Sequence, residues 1–200
     1  MTRVAIIDAG GANLGSVRYA FERLAARPYI ARDADELAGA ERIVLPGVGA
    51  AAPAMARLRE RGLDAAVRAA QVPVLGICLG MQLLHERSDE GDQPCLGILR
   101  GRVRRLRPAT GLRVPHMGWN VLRGIARHCR LLDGIAERAA CYFVHGYAIQ
   151  VGIDTVAMTA HGDAFAAVVR RGRYCGTQFH PERSGAVGAR VLANFLRWTP

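Results

Sequence analysis

The sequence contains no lysine. All 27 of its basic residues are arginine, set against 17 acidic residues, for a formal charge of +10. Two chemistries are excluded at once. A Walker-type loop needs a lysine on the phosphates, and a pyridoxal phosphate enzyme needs a Schiff-base lysine. So uniform a bias reads as a compositional habit, which weakens the step from basicity to nucleic acid. The arginines are scattered. Their one local cluster, "RGRVRRLRP" at 100–108, alternates with Val103 and Leu106 as an exposed strand would. No recognised binding motif accompanies it, so no nucleic-acid partner is expected.

Paired cysteines are also missing. Cys78, Cys95, Cys129, Cys141 and Cys175 are odd in number and far apart, and no C-x-x-C occurs. That argues against a disulfide framework and against a zinc site, so no metal is expected. No apolar run reaches the roughly 18 residues of a membrane-spanning helix. The opening "MTRVAIIDAGGANLG" breaks on Asp8 and has no tail of signal-peptide type, so it reads as a first strand. The expectation is a soluble, cytoplasmic protein with no membrane partner. "GGAN" at 10–13 does not complete G-x-G-x-x-G, and no dinucleotide or other cofactor is expected.

What the sequence does contain is a repeated grammar. Half of its 200 residues are hydrophobic, enough for one domain over 1–200 with a full core. Val4–Ile7 is an extended apolar run, followed by a glycine turn and a helix over roughly 14–26. Asn13 is its N-cap candidate, and Val17, Phe21 and Leu24 share one face. "RIVLPGVGAAAPAMARLRERG" and "VPVLGICLGMQLLHE" repeat the pattern of strand, glycine turn and helix. This implies an α/β fold with a largely parallel central sheet flanked by helices, whose strands are apolar throughout because both faces are covered. After about residue 95 the segments shorten into strands and turns, a smaller and partly antiparallel region. A last helix follows, with Val187, Val191 and Phe195 recurring every fourth residue.

Gly76-x-Cys78-x-Gly80 is the cysteine form of the nucleophile elbow. A strand-to-helix corner holds the nucleophile in a strained conformation, so its neighbours must be small. It also aims the sulfur off the carboxyl edge of the sheet, where α/β proteins bind ligands. The N-terminus of a helix starting near Leu79 favours thiolate over thiol, and the Leu79 N–H is free for an oxyanion. Taken alone, a G-x-C-x-G is more often a small buried cysteine than a nucleophile. "GTQFHPERS" tips the balance. Pro181 biases His180 to extended geometry, and Glu182, two residues on, shares its side. A base with an orienting carboxylate results. His85, His128 and His161 lack such a partner and read as structural or surface residues. "LPGVGA" at 45–50 offers bare backbone N–H groups, for a phosphate or for a second oxyanion donor.

"PGVG", "GICLGMQLL" and "GTQFHPERS" together resemble the class I, or triad, glutamine amidotransferases. "PHMGWN" and "YFVHGY" resemble the branch of that family serving as the glutaminase subunits of imidazole glycerol phosphate synthase. The resemblance covers residues 4–198 and implies a flavodoxin-like fold. It also implies Cys78 as nucleophile, His180 as general base and Glu182 as its orienter. Leu79, Gly47 and Val48 fall on the oxyanion loop. Gly49, Gln82, His145, Gly146 and Tyr147 fall where glutamine is held. Asn13, Trp119 and Arg183 fall where the family meets its partner, a (β/α)8 cyclase subunit, in a heterodimer. Arg183 stands where the family usually has lysine, and Ala9, Ala12 and Gly146 also depart from its pattern.

The implied activity is hydrolysis of glutamine to glutamate and ammonia, with ammonia passed to the cyclase for imidazole glycerol phosphate and AICAR in histidine biosynthesis. The alternatives are a glutaminase of another pathway on the same fold, a cysteine protease or stress protein sharing the elbow, and a non-catalytic homologue. The last would have lost its Cys or His; both remain.

Overall fold

The structure is a computed structural model in which residues 1–10, 14–108 and 111–200 are described. The first strand, β1 (Arg3–Ile7), leads to α1 (Leu14–Glu22) and then β2 (Arg27–Ala31). The unit repeats with β3 (Arg42–Gly47), α2 (Ala51–Glu60), α3 (Leu63–Ala69), β4 (Val74–Cys78) and α4 (Leu79–Leu83). Helix α1 stops at Glu22, short of the expected residue 26. Ala25 turns left-handed at φ +56°, and Pro28 disfavours helix at Arg27. The sequence reading did not anticipate β2. Its Pro28 is admissible because the strand lies at the edge of the sheet.

The second half supplies short strands, as expected. They are β5 (Arg87–Ser88), β6 (Gln93–Pro94), β7 (Arg102–Arg105), β8 (His116–Val121), β9 (Ala140–His145), β10 (Tyr147–Ile149), β11 (Thr155–His161), β12 (Asp163–Arg171) and β13 (Tyr174–Thr177). Helix α5 (Gly185–Arg197) follows. The main sheet runs β11-β12-β13-β4-β3-β1-β2. From β13 to β2 every pairing is parallel, while β11 and β12 join antiparallel. The parallel part is the 2-1-3-4-5 order of flavodoxin-like sheets, with β13 as its fifth strand. Two smaller sheets, β10-β7-β5-β6 and β8-β9, lie beside it.

The strands are apolar throughout because successive residues feed opposite cores. Val4, Ile6, Val44, Leu75 and Ile77 pack with Phe21 of α1, Phe195 of α5, Phe143 and Phe179. Ala5, Ile7, Ile43, Leu45 and Val74 pack with Met55 and Leu58 of α2, Leu63 and Val67 of α3, and Met81 of α4. These side chains are buried, and each of them larger than the Ala5 methyl contributes about 1.5–3 kcal/mol. The result clamps β4 between helix layers and leaves its carboxyl end as the place where a side chain can be aimed outward.

Candidate active site

Three neighbouring parallel strands end together. In the β3–β4 ladder Gly47 lies opposite Cys78; in the β13–β4 ladder Thr177 lies opposite Ile77. The residues that follow β3 and β13 are therefore delivered to either side of Cys78. Cys78 itself has φ +53° and ψ −111°, a strained conformation for a residue with a side chain. Its glycine neighbours permit the corner. A Cβ on Gly80 would lie 1.7 Å from the Leu45 carbonyl oxygen, and one on Gly76 would lie 2.6 Å from the Met81 nitrogen. Helix α4 begins at the next residue, Leu79, as expected.

On the β13 side, His180 Nδ1 lies 2.8 Å from Glu182 Oε1. The contact was expected from an extended segment, but the backbone differs. His180 is extended at φ −94° and ψ 98°, whereas Pro181–Arg183 forms a single 3-10 turn. The turn arises because Pro181 supplies helical φ at a position needing no N–H donor, and Ser184 fastens it by donating its hydroxyl to the His180 carbonyl at 2.7 Å. Burial alone would lower the His180 pKa. Its contacts with Cys78 and Glu182 outweigh that and raise it to about 10. The imidazolium is thus held by a sulfur on one side and a carboxylate on the other.

These groups open on a cavity of about 420 Å³, lined also by Val48, Gly49, Leu79 and Gln82. The chain passing from β9 to β10, strands of two different sheets, closes it with His145, Gly146 and Tyr147. Gly47 lies just behind, in a small adjoining cavity with Val48 and His180. Gln82 directs both amide hydrogens inward, to the Tyr147 carbonyl oxygen at 2.8 Å and to Gln178 Oε1 at 3.0 Å. At the rim, the Arg183 guanidinium sits 5.3 Å over the Tyr142 ring, and Trp119 meets the same ring edge-on at 5.9 Å. Trp119 stands opposite Tyr142 in the β8–β9 ladder and is 60% exposed. Two residues 64 positions apart in sequence, Trp119 and Arg183, thus share one surface through Tyr142. Asn13 lies outside the described residues.

The sequence-based family model for glutamine amidotransferase class-I matches residues 5–198. The chain belongs to the class I glutamine amidotransferases. Among curated amidotransferase relatives, the "imidazole glycerol phosphate synthase subunit HisH" of Xanthomonas euvesicatoria pv. vesicatoria (strain 85-10) is 62% identical over 196 residues, covering 98% of each chain. The protein of the same name from Xylella fastidiosa (strain Temecula1 / ATCC 700964) is 58% identical with the same coverage. Among solved structures, one described as a glutamine amidotransferase superposes with a TM-score of 0.75 at 23% identity, covering 97% of each chain. PurLQS from Thermotoga maritima gives 0.74 at 22% identity, covering 98% of each. These last two show the shared amidotransferase fold.

Sequence reasoning missed two residues of this amidotransferase site. Glu90 lines the cavity and accepts from the Ala51 N–H at 2.8 Å, at the start of α2. It sits in the polar turn "DEGDQP", where one acidic residue looks like the next. Gln178 is fully buried and donates its side-chain N–H to Cys78 Sγ at 3.6 Å. It lies inside the motif that drew attention to His180, which masked it.

Proposed function

We propose that this chain is the glutaminase subunit of imidazole glycerol phosphate synthase, acting through Cys78, His180 and Glu182. One observation carries the reading: the ends of β3, β4 and β13 surround a single cavity with a bare glycine turn, a strained cysteine and a carboxylate-paired histidine. The curated relatives, about 60% identical over nearly the whole chain, supply the pathway and the word subunit.

The chemistry follows from the geometry. The Cys78 sulfur attacks the side-chain amide carbon of glutamine. Charge collects on the amide oxygen and is received by the Leu79 N–H at the start of α4, with an N–H from the Gly47–Val48–Gly49 turn, two segments that line the cavity. His180 gives its proton to the departing nitrogen, so ammonia leaves and a γ-glutamyl thioester remains. His180 then takes a proton from water, which attacks the thioester and releases glutamate and the thiolate. Glutamine and water are consumed; glutamate and ammonia are formed. Glu182 orients the ring and balances its charge throughout.

Specificity for a free amino acid needs acceptors for its ammonium group. Glu90 faces the cavity, and Gln82 has spent both amide hydrogens elsewhere, so its carbonyl oxygen remains for a donor. His145, Gly146 and Tyr147 form the wall against which the substrate rests. At neutral pH free ammonia protonates and loses its nucleophilicity, so it must pass to a second active site under cover. The exposed Trp119–Tyr142–Arg183 rim beside the cavity is the docking surface for a cyclase subunit of (β/α)8 form, in a heterodimer.

The test is glutamine-dependent product formation by the cyclase with and without this chain. Strict dependence on the chain with glutamine, and independence of it with added ammonia, is expected. Full glutamine hydrolysis by the chain alone, with no effect on the cyclase, overturns the reading.

A further inference from the structure

Behind the cavity wall runs a continuous series of side-chain hydrogen bonds that ends on the Cys78 sulfur. It starts on β8. Asn120 Nδ2 donates to the Ala160 carbonyl at 2.8 Å, and Asn120 Oδ1 accepts from the Val121 N–H at 2.8 Å, which fixes the orientation of the amide. The same Nδ2 lies 3.4 Å from His116 Nε2. His116 Nδ1 lies 3.2 Å from His145 Nε2, its cross-strand partner in the β8–β9 ladder. His145 Nδ1 lies 2.9 Å from the Tyr147 carbonyl oxygen. That oxygen also accepts from Gln82, which donates to Gln178 Oε1, and Gln178 Nε2 faces Cys78 Sγ at 3.6 Å.

The direction of the series is settled by its acceptors. A carbonyl oxygen only accepts, so His145 carries its proton on Nδ1. Burial lowers the pKa of His145 to about 3 and that of His116 to about 4, so both rings are neutral at neutral pH. His145 Nε2 is then an acceptor, His116 must carry its proton on Nδ1, and His116 Nε2 accepts from Asn120. On the other side of the Tyr147 carbonyl the same rule fixes Gln82 with its NH2 inward. Gln178 is left with one stable orientation. Turned over, it would set its NH2 against the NH2 of Gln82 and its carbonyl oxygen against the sulfur.

We infer that Gln178 is a positioning residue for the nucleophile, held with an N–H donor on Cys78 by Gln82, whose own amide is fixed by the Tyr147 carbonyl. A neutral donor at the sulfur favours the anionic nucleophile without adding a charge that would compete with His180. The inference rests on the proposed role of Cys78 and adds what holds that sulfur ready besides His180.

The experiment is the rate of alkylation by iodoacetamide, read at Cys78 by peptide mass spectrometry across pH, in the full chain. This small probe lacks the amino-acid part of glutamine and so reports on the sulfur itself. Gln178→Met keeps the volume and removes the donor; alkylation at neutral pH should fall about tenfold, with its rise displaced to higher pH, as expected for loss of a hydrogen bond to a charged group. Gln178→Glu keeps the acceptor for Gln82 but turns an oxygen to the sulfur, and should be slower still. Gln82→Met, which takes away the donor that anchors Gln178, should slow alkylation, and Gln82→Glu, which presents only acceptors and so turns the Gln178 oxygen to the sulfur, should slow it further. The Gln82 pair decides the matter even where a Gln178 variant fails to fold. Wild-type rates and pH profiles in folded Gln178→Met, or wild-type rates in folded Gln82→Met, overturn the inference. An unreactive Cys78 in the wild-type chain instead overturns the proposed nucleophile.

Discussion

His180 and Glu182 meet at 2.8 Å across one residue, and the residue between them is a proline that starts a turn. The turn brings the carboxylate under the ring, and with Cys78 on the other side the pKa of His180 rises to about 10 despite burial. A histidine with a raised folded pKa contributes stability that is complete below its unfolded pKa, about 6.5, and is lost as pH climbs through the folded value. In the proposed mechanism the protonated ring is also the form that releases ammonia. Glutaminase activity should therefore hold through neutral pH and fall near pH 10. Glu182→Gln removes one of the raising groups, so its alkaline limb should move to lower pH in a kcat/KM profile. An unmoved limb would separate Glu182 from His180.

The elbow tolerates no side chain at Gly80, because a Cβ there would sit 1.7 Å from the Leu45 carbonyl oxygen. Gly80→Val should abolish folding or activity, since the obstacle is backbone and cannot swing aside. Met81→Leu, at a fully buried neighbouring position, is a near volume-conserving swap and should cost below about 1.5 kcal/mol in urea unfolding. Comparable losses in both variants would mean that the corner is not what limits the site.

Cys78 should outpace the other cysteines toward a glutamine-mimicking electrophile. It lines the cavity, whereas burial pushes the Cys95 thiol up to about 11 and that of Cys141 to about 12. Burial likewise raises Cys129 and Cys175. Peptide mapping after brief exposure should find Cys78 modified first; faster labelling of Cys95 would remove the assignment.

Acid should destabilise the fold through three histidines buried in the neutral form. Burial lowers His85 and His116 to about 4 and His145 to about 3. A depressed histidine contributes stability present above its unfolded pKa of about 6.5 and lost as pH falls toward the folded value. Unfolding free energy should therefore drop between pH 6.5 and about 4, and His116→Asn should flatten that slope. An unchanged slope in this variant would contradict the burial of a neutral ring.

Arg183→Glu reverses the charge at the rim, at a residue that also lines the mouth of the cavity. It should weaken association with the cyclase, with a larger effect at low salt. Sedimentation of the mixed subunits measures the effect. Undiminished binding would place docking elsewhere.

Much of this site was legible because its parts sit in short runs with special residues. Gly76, Cys78 and Gly80 announce a corner through their small size, and the spacing of His180 and Glu182 announces their contact, although the 3-10 turn that makes it replaces the extended segment expected there. The apolar runs at β1, β3 and β4 read as buried parallel strands for the same reason that they are: both faces are covered. Strand β2 escaped notice because Pro28 reads as a break unless the strand is known to be an edge. His116 and His145 gave no sign of meeting, because cross-strand register is a property of the folded β8–β9 pair. Gln178 and Glu90 are polar residues among polar neighbours, and only the packed structure shows one against sulfur and the other against the cavity.

The central claim is that Cys78 carries the acyl group of glutamine. The most direct measurement is rapid acid quenching of the chain during turnover with glutamine and the cyclase, followed by mass spectrometry of the peptide containing Cys78. A γ-glutamyl thioester on Cys78, absent from Cys78→Ala together with all glutamine hydrolysis, is the result expected. Hydrolysis persisting in Cys78→Ala, or the acyl group appearing on a different residue, would contradict the account.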